Sequence, residues 1–473
     1  MKINKIISAF LIVVLFASCK ILAPVPEVTK PVLPETFVTS TDTVNSAKIK
    51  WKDFFADKNL TNLIDVALKN NIELQITLQN IEIARNDVRA RKGMLFPSVT
   101  AFAGAGIEKV GLYTSQGAGD ESTEITPGEK VPRVLGDLAL GLHASWEVDI
   151  WKKLRNSKKA AYSKYLASIE GKNFVVTSLV SEVANSYYEL VSLDNQLDII
   201  KETIGLQQNA LEIVRIQKEA AKVTELAVKK FEAEVLNSQS LEYDILQQIK
   251  ENENKINFLL GRYPQPIARD KNSFMTQIPQ LVKAGIPSQL LANRPDIKQA
   301  EFELRETNFD VKVAQSEFYP DFIISGGIGF NAFKPKYFTS PESLFFNFLG
   351  ELAAPLINRS AIKAEFNKAK AYQIQAMYEY QKSILNGYVE VSNEISNISN
   401  LEKLYDLKNK EVEALTTAIS ISNDLFKSTR VDYFEVLMTQ RDALSSKLEL
   451  VETKERQYKA VTNVYKALGG GWN

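Results

Sequence analysis

Cysteine and histidine are almost missing from this chain, which carries one of each, Cys19 and His143, in 473 residues. A lone cysteine excludes an internal disulfide framework, and one histidine beside it cannot assemble a zinc site of the usual Cys/His kind. An excess of charge of one sign is missing too: lysine plus arginine number 57 and aspartate plus glutamate 57. No basic surface is on offer to a nucleic acid. Long hydrophobic runs are also lacking. Beyond the amino terminus no stretch reaches the roughly 18 consecutive apolar residues of a membrane-spanning helix. What remains is a chain with ample core-forming material, 45% hydrophobic and 24% charged, outside the composition range of disordered proteins. Carboxylates do stand at helical spacing, but no catalytic or cofactor motif accompanies them, so no enzyme, cofactor or resident metal is expected.

The amino terminus reads as a secretion signal over residues 1–18, with Lys2 and Lys5 as the positive region and Ile6 to Phe16 as a short apolar run. It ends in Phe16-Ala17-Ser18-Cys19, which is similar to the lipobox of bacterial lipoproteins, with phenylalanine where leucine is usual. Cys19 is therefore the expected lipidation site. Lys20 follows it, not the aspartate associated with inner-membrane retention, which favours delivery to the outer membrane. Residues 19–62 then form a lipid-anchored amino-terminal segment. Acyl chains tether a protein without carrying its backbone across the bilayer, so any spanning must be done by strands.

The rest of the chain is organised by an internal two-fold repeat. Phe96-Pro97 is answered by Tyr319-Pro320 at an offset of 223 residues, and Lys222-Val223-Thr224 by Arg430-Val431-Asp432 at 208. Leu260-Gly261 is answered by Leu468-Gly469, again at 208. The first repeat is assigned to 63–261, a linker or equatorial segment to 262–286, and the second repeat to 287–473. Each half opens with a helix, expected at roughly 60–95 and 288–318, that a proline terminates by withholding a backbone donor. Two alternating segments separated by a polar loop follow, and then two long helices.

In the stretch 137–148, Leu138, Leu140, Leu142, Ala144, Trp146 and Val148 alternate with smaller or polar residues, a period of two. In the second half Phe322, Ile324, Ile328 and Phe330 do the same, as do Phe346, Phe348 and Leu352. Alternation in 98–108 is less regular. Four such strands suit a membrane barrel, apolar outward and polar inward. They cannot close one alone, because open strand edges in hydrocarbon leave backbone groups unpaired. Several chains must share one barrel. The proline-free runs 153–219 and 358–427 would each extend roughly 100 Å as helices. A heptad seam of Leu437, Leu444, Val451, Tyr458 and Tyr465 marks the last helix, and Val228, Val235, Ile249 and Ile256 its counterpart, with Glu242 interrupting.

With the repeat and the strand pairs, three motifs resemble the TolC-like outer-membrane efflux proteins, in the lipoprotein branch typified by OprM and NodT. They are Arg294-Pro295-Asp296-Ile297 with Ala314 to Pro320, then Val436 to Arg441, and finally Lys466-Ala467-Leu468-Gly469-Gly470-Gly471-Trp472. The resemblance covers essentially the whole mature chain. It implies a mainly α protein with a membrane β-barrel portion: a homotrimer whose chains each give four strands to a twelve-stranded barrel and their long helices to a periplasmic α-barrel. It also implies that the turns near 220–225 and 429–435 close the periplasmic end. Arg430, Asp432, Tyr433 and Glu435 are then the gate and pore candidates, and Lys222, Thr224 and Glu225 the candidates for adaptor contact. Family members commonly carry a glycine in each turn, where this chain has Ala221 and Thr429, and often an acid where it has Met438.

The implied function is the exit duct of a tripartite efflux system, conducting small molecules passively from a periplasmic adaptor (membrane fusion) protein and an inner-membrane RND or ABC pump. Outer-membrane lipid is the remaining partner. A duct for type I protein secretion is the alternative within transport. A structural or nutrient-binding surface lipoprotein is the alternative outside it, and would lack lipid-facing strands.

Overall fold

Two prolines and an asparagine set the opening of the fold. In the computed structural model, which describes residues 33–37, 44–276, 282–355, 357, 359–428 and 430–472, the first helical stretch is two helices, not one. Helix α1 (Lys58–Asn70) and helix α2 (Ile72–Gly93) meet at Asn71. Asn71 leaves helical geometry at φ −58° and ψ 125°. Its side-chain Oδ1 accepts from Leu74 N at 2.9 Å, and its side-chain Nδ2 donates to the Leu259 carbonyl at 2.9 Å. An N-cap that also reaches a distant helix end is stabler here than a continued helix.

After Pro97 come strand β1 (Ser98–Glu108), a short helix α3 (Ser115–Ser122), a small hairpin of β2 (Glu124–Thr126) and β3 (Glu129–Lys130), and strand β4 (Leu135–Glu147). Helix α4 (Lys153–Glu219) runs 67 residues without proline, about 100 Å at 1.5 Å per residue, and α5 (Glu225–Leu259) returns alongside it. The second half likewise divides its opening helix. A single turn, Leu290–Asn293, ends at extended Arg294, and Pro295 starts α6 (Pro295–Ser316). Proline disfavours helical geometry in the residue before it, which explains the break. Strand β5 (Asp321–Ala332), strand β6 (Leu344–Ala353), and helices α7 (Ser360–Lys427) and α8 (Tyr433–Ala467) complete the chain.

The two halves repeat one close approach. Gly261 has φ 64°, and a Cβ there would stand 2.3 Å from the Asn70 carbonyl; Gly469 has φ 87°, and a Cβ would stand 2.5 Å from that of Asn293. Only glycine fits either place. The partners are 223 and 208 residues apart, the offsets read in the sequence.

Midway along α4 lies the main core. Trp51, Phe54, Leu60 and Ile64 pack with Tyr187, Leu190, Ile256, Phe274 and Tyr465. Phe37, Ala47, Leu290 and Ile297 pack with Ile384, Val391, Val464 and Leu468 in a second cluster. Segments flanking both halves thus gather at mid-height on the helices. The heptad residues Leu444, Val451, Tyr458, Val228, Val235, Ile249 and Ile256 are all buried. Among the described residues no helix is long and apolar enough to cross a membrane.

Candidate functional site

The four main strands form one antiparallel sheet in the order β1-β4-β5-β6, with side chains alternating between its faces. Register places Val99, Ala101, Ala103, Ala105 and Ile107 of β1 on the same face as Leu138, Leu140, Leu142, Ala144 and Trp146 of β4. Phe322, Ile324, Ile328 and Phe330 of β5 join them, with Leu344, Phe346, Phe348 and Leu352 of β6. Nothing polar interrupts this face. In the single chain it is open, with Ile107 84%, Phe346 81% and Phe348 79% exposed. An apolar surface of that continuity marks contact with another apolar phase.

The opposite face holds every carboxylate of the four strands, Glu108, Asp137, Glu147, Asp321 and Glu351, together with His143, Ser145, Ser325 and Asn347. No lysine or arginine lies in these strands. One rung across this face reads Phe102, Gly141, Gly329, Phe345. A Cβ at Gly141 would come 3.0 Å from the Phe102 ring, and one at Gly329 3.0 Å from the Phe345 ring. The rings therefore lie down over the glycines. At the helix-side end Lys153 binds Glu147 at 2.7 Å and Asp321 at 3.0 Å. Burial opposes its charge, yet those hydrogen bonds hold the ammonium above the usual lysine range. At the other end Glu129 accepts from Lys336 Nζ at 2.9 Å and Tyr337 Oη at 2.6 Å. The hydrogen bonds from Tyr337 and Lys336 lower its carboxyl to about 2, so the two loops are tied together.

About 100 Å of helix separates this sheet from the turns α4–α5 and α7–α8. A single apolar cluster joins both turns. Leu211, Val214, Phe231, Phe426 and Val436 are buried, with Val223, Val431 and Tyr433 packed against them. Lys222 and Thr224 are exposed. Glu225 bonds Lys218 at 2.5 Å, which lowers its carboxyl below the ordinary range. Arg430, Asp432 and Glu435 are exposed as well. Among the described residues, no side-chain hydrogen bond or ion pair is formed within the chain by Arg430 or Asp432. Ala221 adopts left-handed geometry at φ 58°, the place where a glycine would be unstrained.

The outer membrane efflux protein model matches residues 63–262 and 286–470. The chain belongs to the outer membrane efflux protein family. It is 26% identical over 458 residues to the Cation efflux system protein CusC of Escherichia coli, covering 94% of this chain and 95% of CusC. It is likewise 26% identical over 465 residues to the Probable outer membrane lipoprotein SilC of Salmonella typhimurium, covering 97% of each. A membrane protein of Pseudomonas aeruginosa shares the fold, with a TM-score of 0.85 at 23% identity, covering 94% of this chain and 99% of that one. As a member of this family the protein resides in the outer membrane and is an efflux channel.

For this efflux protein the structure gathers Tyr433, Val431 and Val223 at one end, and leaves Lys222, Thr224, Arg430, Asp432 and Glu435 on its surface. Cys19 lies outside the described residues. One feature had no counterpart in the sequence reading: the aromatic-glycine rung, which only the register shows. Paired glycines opposite aromatics were the available signal for the rung.

Proposed function

We propose that three copies join their four-stranded sheets edge to edge into one twelve-stranded barrel in the outer membrane, continued by their long helices as a periplasmic tube. The apolar sheet face carries this reading, because it is open in one chain and suits lipid. Strands β1 and β6 each have one neighbour within the described chain and are of similar length, 11 and 10 residues. Pairing β6 of one copy with β1 of the next removes every edge from the hydrocarbon.

The polar face then lines a lumen through which substrates pass without chemistry by this chain, which is not an enzyme. Energy comes from an inner-membrane pump, of RND or ABC type, reached through a periplasmic adaptor at the tips. Arg430 and Asp432, unpaired among the described residues, contact neighbouring copies when the tip is closed, and Glu435 with Tyr433 borders the opening. Opening is a shift between two packings of the tips, favoured by an adaptor that binds the open one more tightly. Lys222, Thr224 and Glu225 meet that adaptor. SilC is named a lipoprotein, and we extend this to Cys19 as an acylated anchor.

The test is single-channel conductance in planar bilayers together with mass by light scattering in detergent. A trimer with small currents that rise in Arg430→Ala or Asp432→Ala supports the gated duct. A monomer without conductance overturns it.

A further inference from the structure

The two middle strands of the sheet lead directly into helices: β4 runs into α4, and α6 runs into β5. At that junction two lysines flank one ring. Lys159 Nζ lies 5.6 Å and Lys312 Nζ 5.3 Å from the centroid of Phe309. Both lysines are exposed, and neither forms an ion pair or a side-chain hydrogen bond among the described residues. They stand on the side away from the polar sheet face. Lys153 marks that polar side through Glu147 and Asp321, and Lys159, six residues on, is turned about 120° from it. Asp310 of α6 is acted on by Lys164, which shares the Lys153 side of α4, and Lys312 is turned about 200° from Asp310. The one carboxylate beside this outer surface at the start of α4, Asp149, is taken up by Arg155 at 2.8 Å.

On the apolar sheet face next to this pair, Gly326 of β5 pairs with Ala144 of β4 and Phe348 of β6. The small residues leave a shallow hollow of about 440 Å³, walled by Leu142, Trp146 and Ile324. Trp146 stands at its helix-side end, where Nε1 donates to the Leu95 carbonyl at 3.1 Å. Trp151 and Tyr319 stack at 4.7 Å where the strands meet the helices. Such rings gather where hydrocarbon gives way to water. Lys159 lies six residues into α4 and Lys312 four before the end of α6, about 9 and 6 Å from the helix ends. A headgroup layer is roughly 5–8 Å deep, and lysine side chains extend toward it. We infer that the hollow and the lysine pair form one site for an anionic phospholipid of the periplasmic leaflet. An acyl chain lies along Gly326 and Ala144, and the headgroup phosphate sits between Lys159 and Lys312. Two cations without carboxylate partners favour a headgroup of net negative charge over a zwitterionic one. This rests on the reading of the sheet as part of a membrane barrel. It adds one bound lipid per chain, on the middle of each chain's own wall and not at a seam between copies.

The full-length trimer, purified in mild detergent, is titrated with phosphatidylglycerol and with phosphatidylcholine, and retained lipids are counted by native mass spectrometry. Phosphatidylglycerol is expected at one per chain, at least fivefold above phosphatidylcholine. Lys159→Gln with Lys312→Gln is expected to abolish that preference. Ala144→Phe fills the hollow and leaves both lysines, and is expected to lower phosphatidylglycerol retention at least threefold. Both variants are expected to keep trimer mass and wild-type conductance, which separates loss of lipid from loss of fold. Equal retention of the two lipids by the wild type, or unchanged retention in either variant, would overturn the site. Release of phosphatidylglycerol by millimolar inorganic phosphate from wild type and Ala144→Phe alike would overturn it in favour of a site for free anions. A wild-type protein that is monomeric and does not conduct instead defeats the barrel, a result visible before any lipid is added.

Discussion

The Arg294 guanidinium lies flat against the backbone of Gly387, so close that a Cβ there would stand 3.1 Å from Arg294 Cδ and Nε. That clearance lets one buried cation tie three elements. Arg294 donates to Asp296 at 2.7 and 3.0 Å, to Glu390 of α7 at 2.7 Å and to the Ala467 carbonyl, in the last turn of α8, at 2.8 Å. Burial works against its charge, but these partners hold it firmly protonated. Removing one member of a buried pair typically costs about 3–5 kcal/mol. Because the Glu390 side chain is 53% exposed, the lower end applies. Arg294→Met is expected to cost about 3 kcal/mol, and Gly387→Ala about 1–3 kcal/mol from overpacking, both read as lowered melting temperatures in detergent.

At the tip, Ala221 holds φ 58° while its neighbours close the turn through Lys222 N to Gln217 O at 2.9 Å. A left-handed L-residue costs roughly 1–2 kcal/mol. Ala221→Gly is expected to relieve about 1 kcal/mol after allowing for the greater freedom of glycine in the unfolded chain. Slower hydrogen exchange across 217–225 would show it; faster exchange would mean that the turn is not strained.

Glu306 on α6 carries the clearest pH dependence. Burial pushes its carboxyl up to about 7, opposed by Lys164 and reinforced by Asp310, Glu303 and Asp87. An acid with a raised folded value holds its proton in the native state where the unfolded chain has lost it. Stability therefore falls as pH rises from about 4.5 to about 7, and levels off above. Glu306→Gln is expected to flatten that slope in melting curves taken between pH 5 and 8. Burial also raises Asp310, so part of the slope should persist.

Much of this fold could be read because it is periodic. Pro97 and Pro320 end helices, β4 alternates, and the α8 heptad turns the same side inward throughout. The break at Asn71 could not be read, because its partner Leu259 lies 188 residues away, whereas the one at Arg294 is marked by the proline that follows it. Strand β1 was faint because alanines at 101, 103 and 105 give alternation little amplitude. Helix α3 was hidden in a stretch whose glycines and serines look like loop. Arg430 and Asp432 form no side-chain hydrogen bond or ion pair among the described residues, so the chain alone assigns them no role. Gln207 and Gln440 look like solvated helix positions until packing buries them. The sheet itself answers the surface-lipoprotein alternative, which has no use for an open apolar face.

Leu142 and His143 are adjacent in β4, yet register sends them to opposite faces, Leu142 beside Ile328 and His143 beside Gly327. If the apolar face meets lipid, a charge at Leu142 must be drawn into hydrocarbon, at about 2–4 kcal/mol near the bilayer midplane. The same charge at His143 enters a water-filled lumen. Leu142→Lys is therefore expected to lower assembled trimer sharply in the outer-membrane fraction, measured by heat-modifiable migration in gels. His143→Lys is expected to assemble normally. It also adds a cation to a wall whose strands hold five carboxylates and no lysine or arginine, so it should reduce cation preference in the reversal potential under a salt gradient. Equal loss of trimer in both variants would mean that the faces are not differently solvated, and the shared barrel would fall with that result.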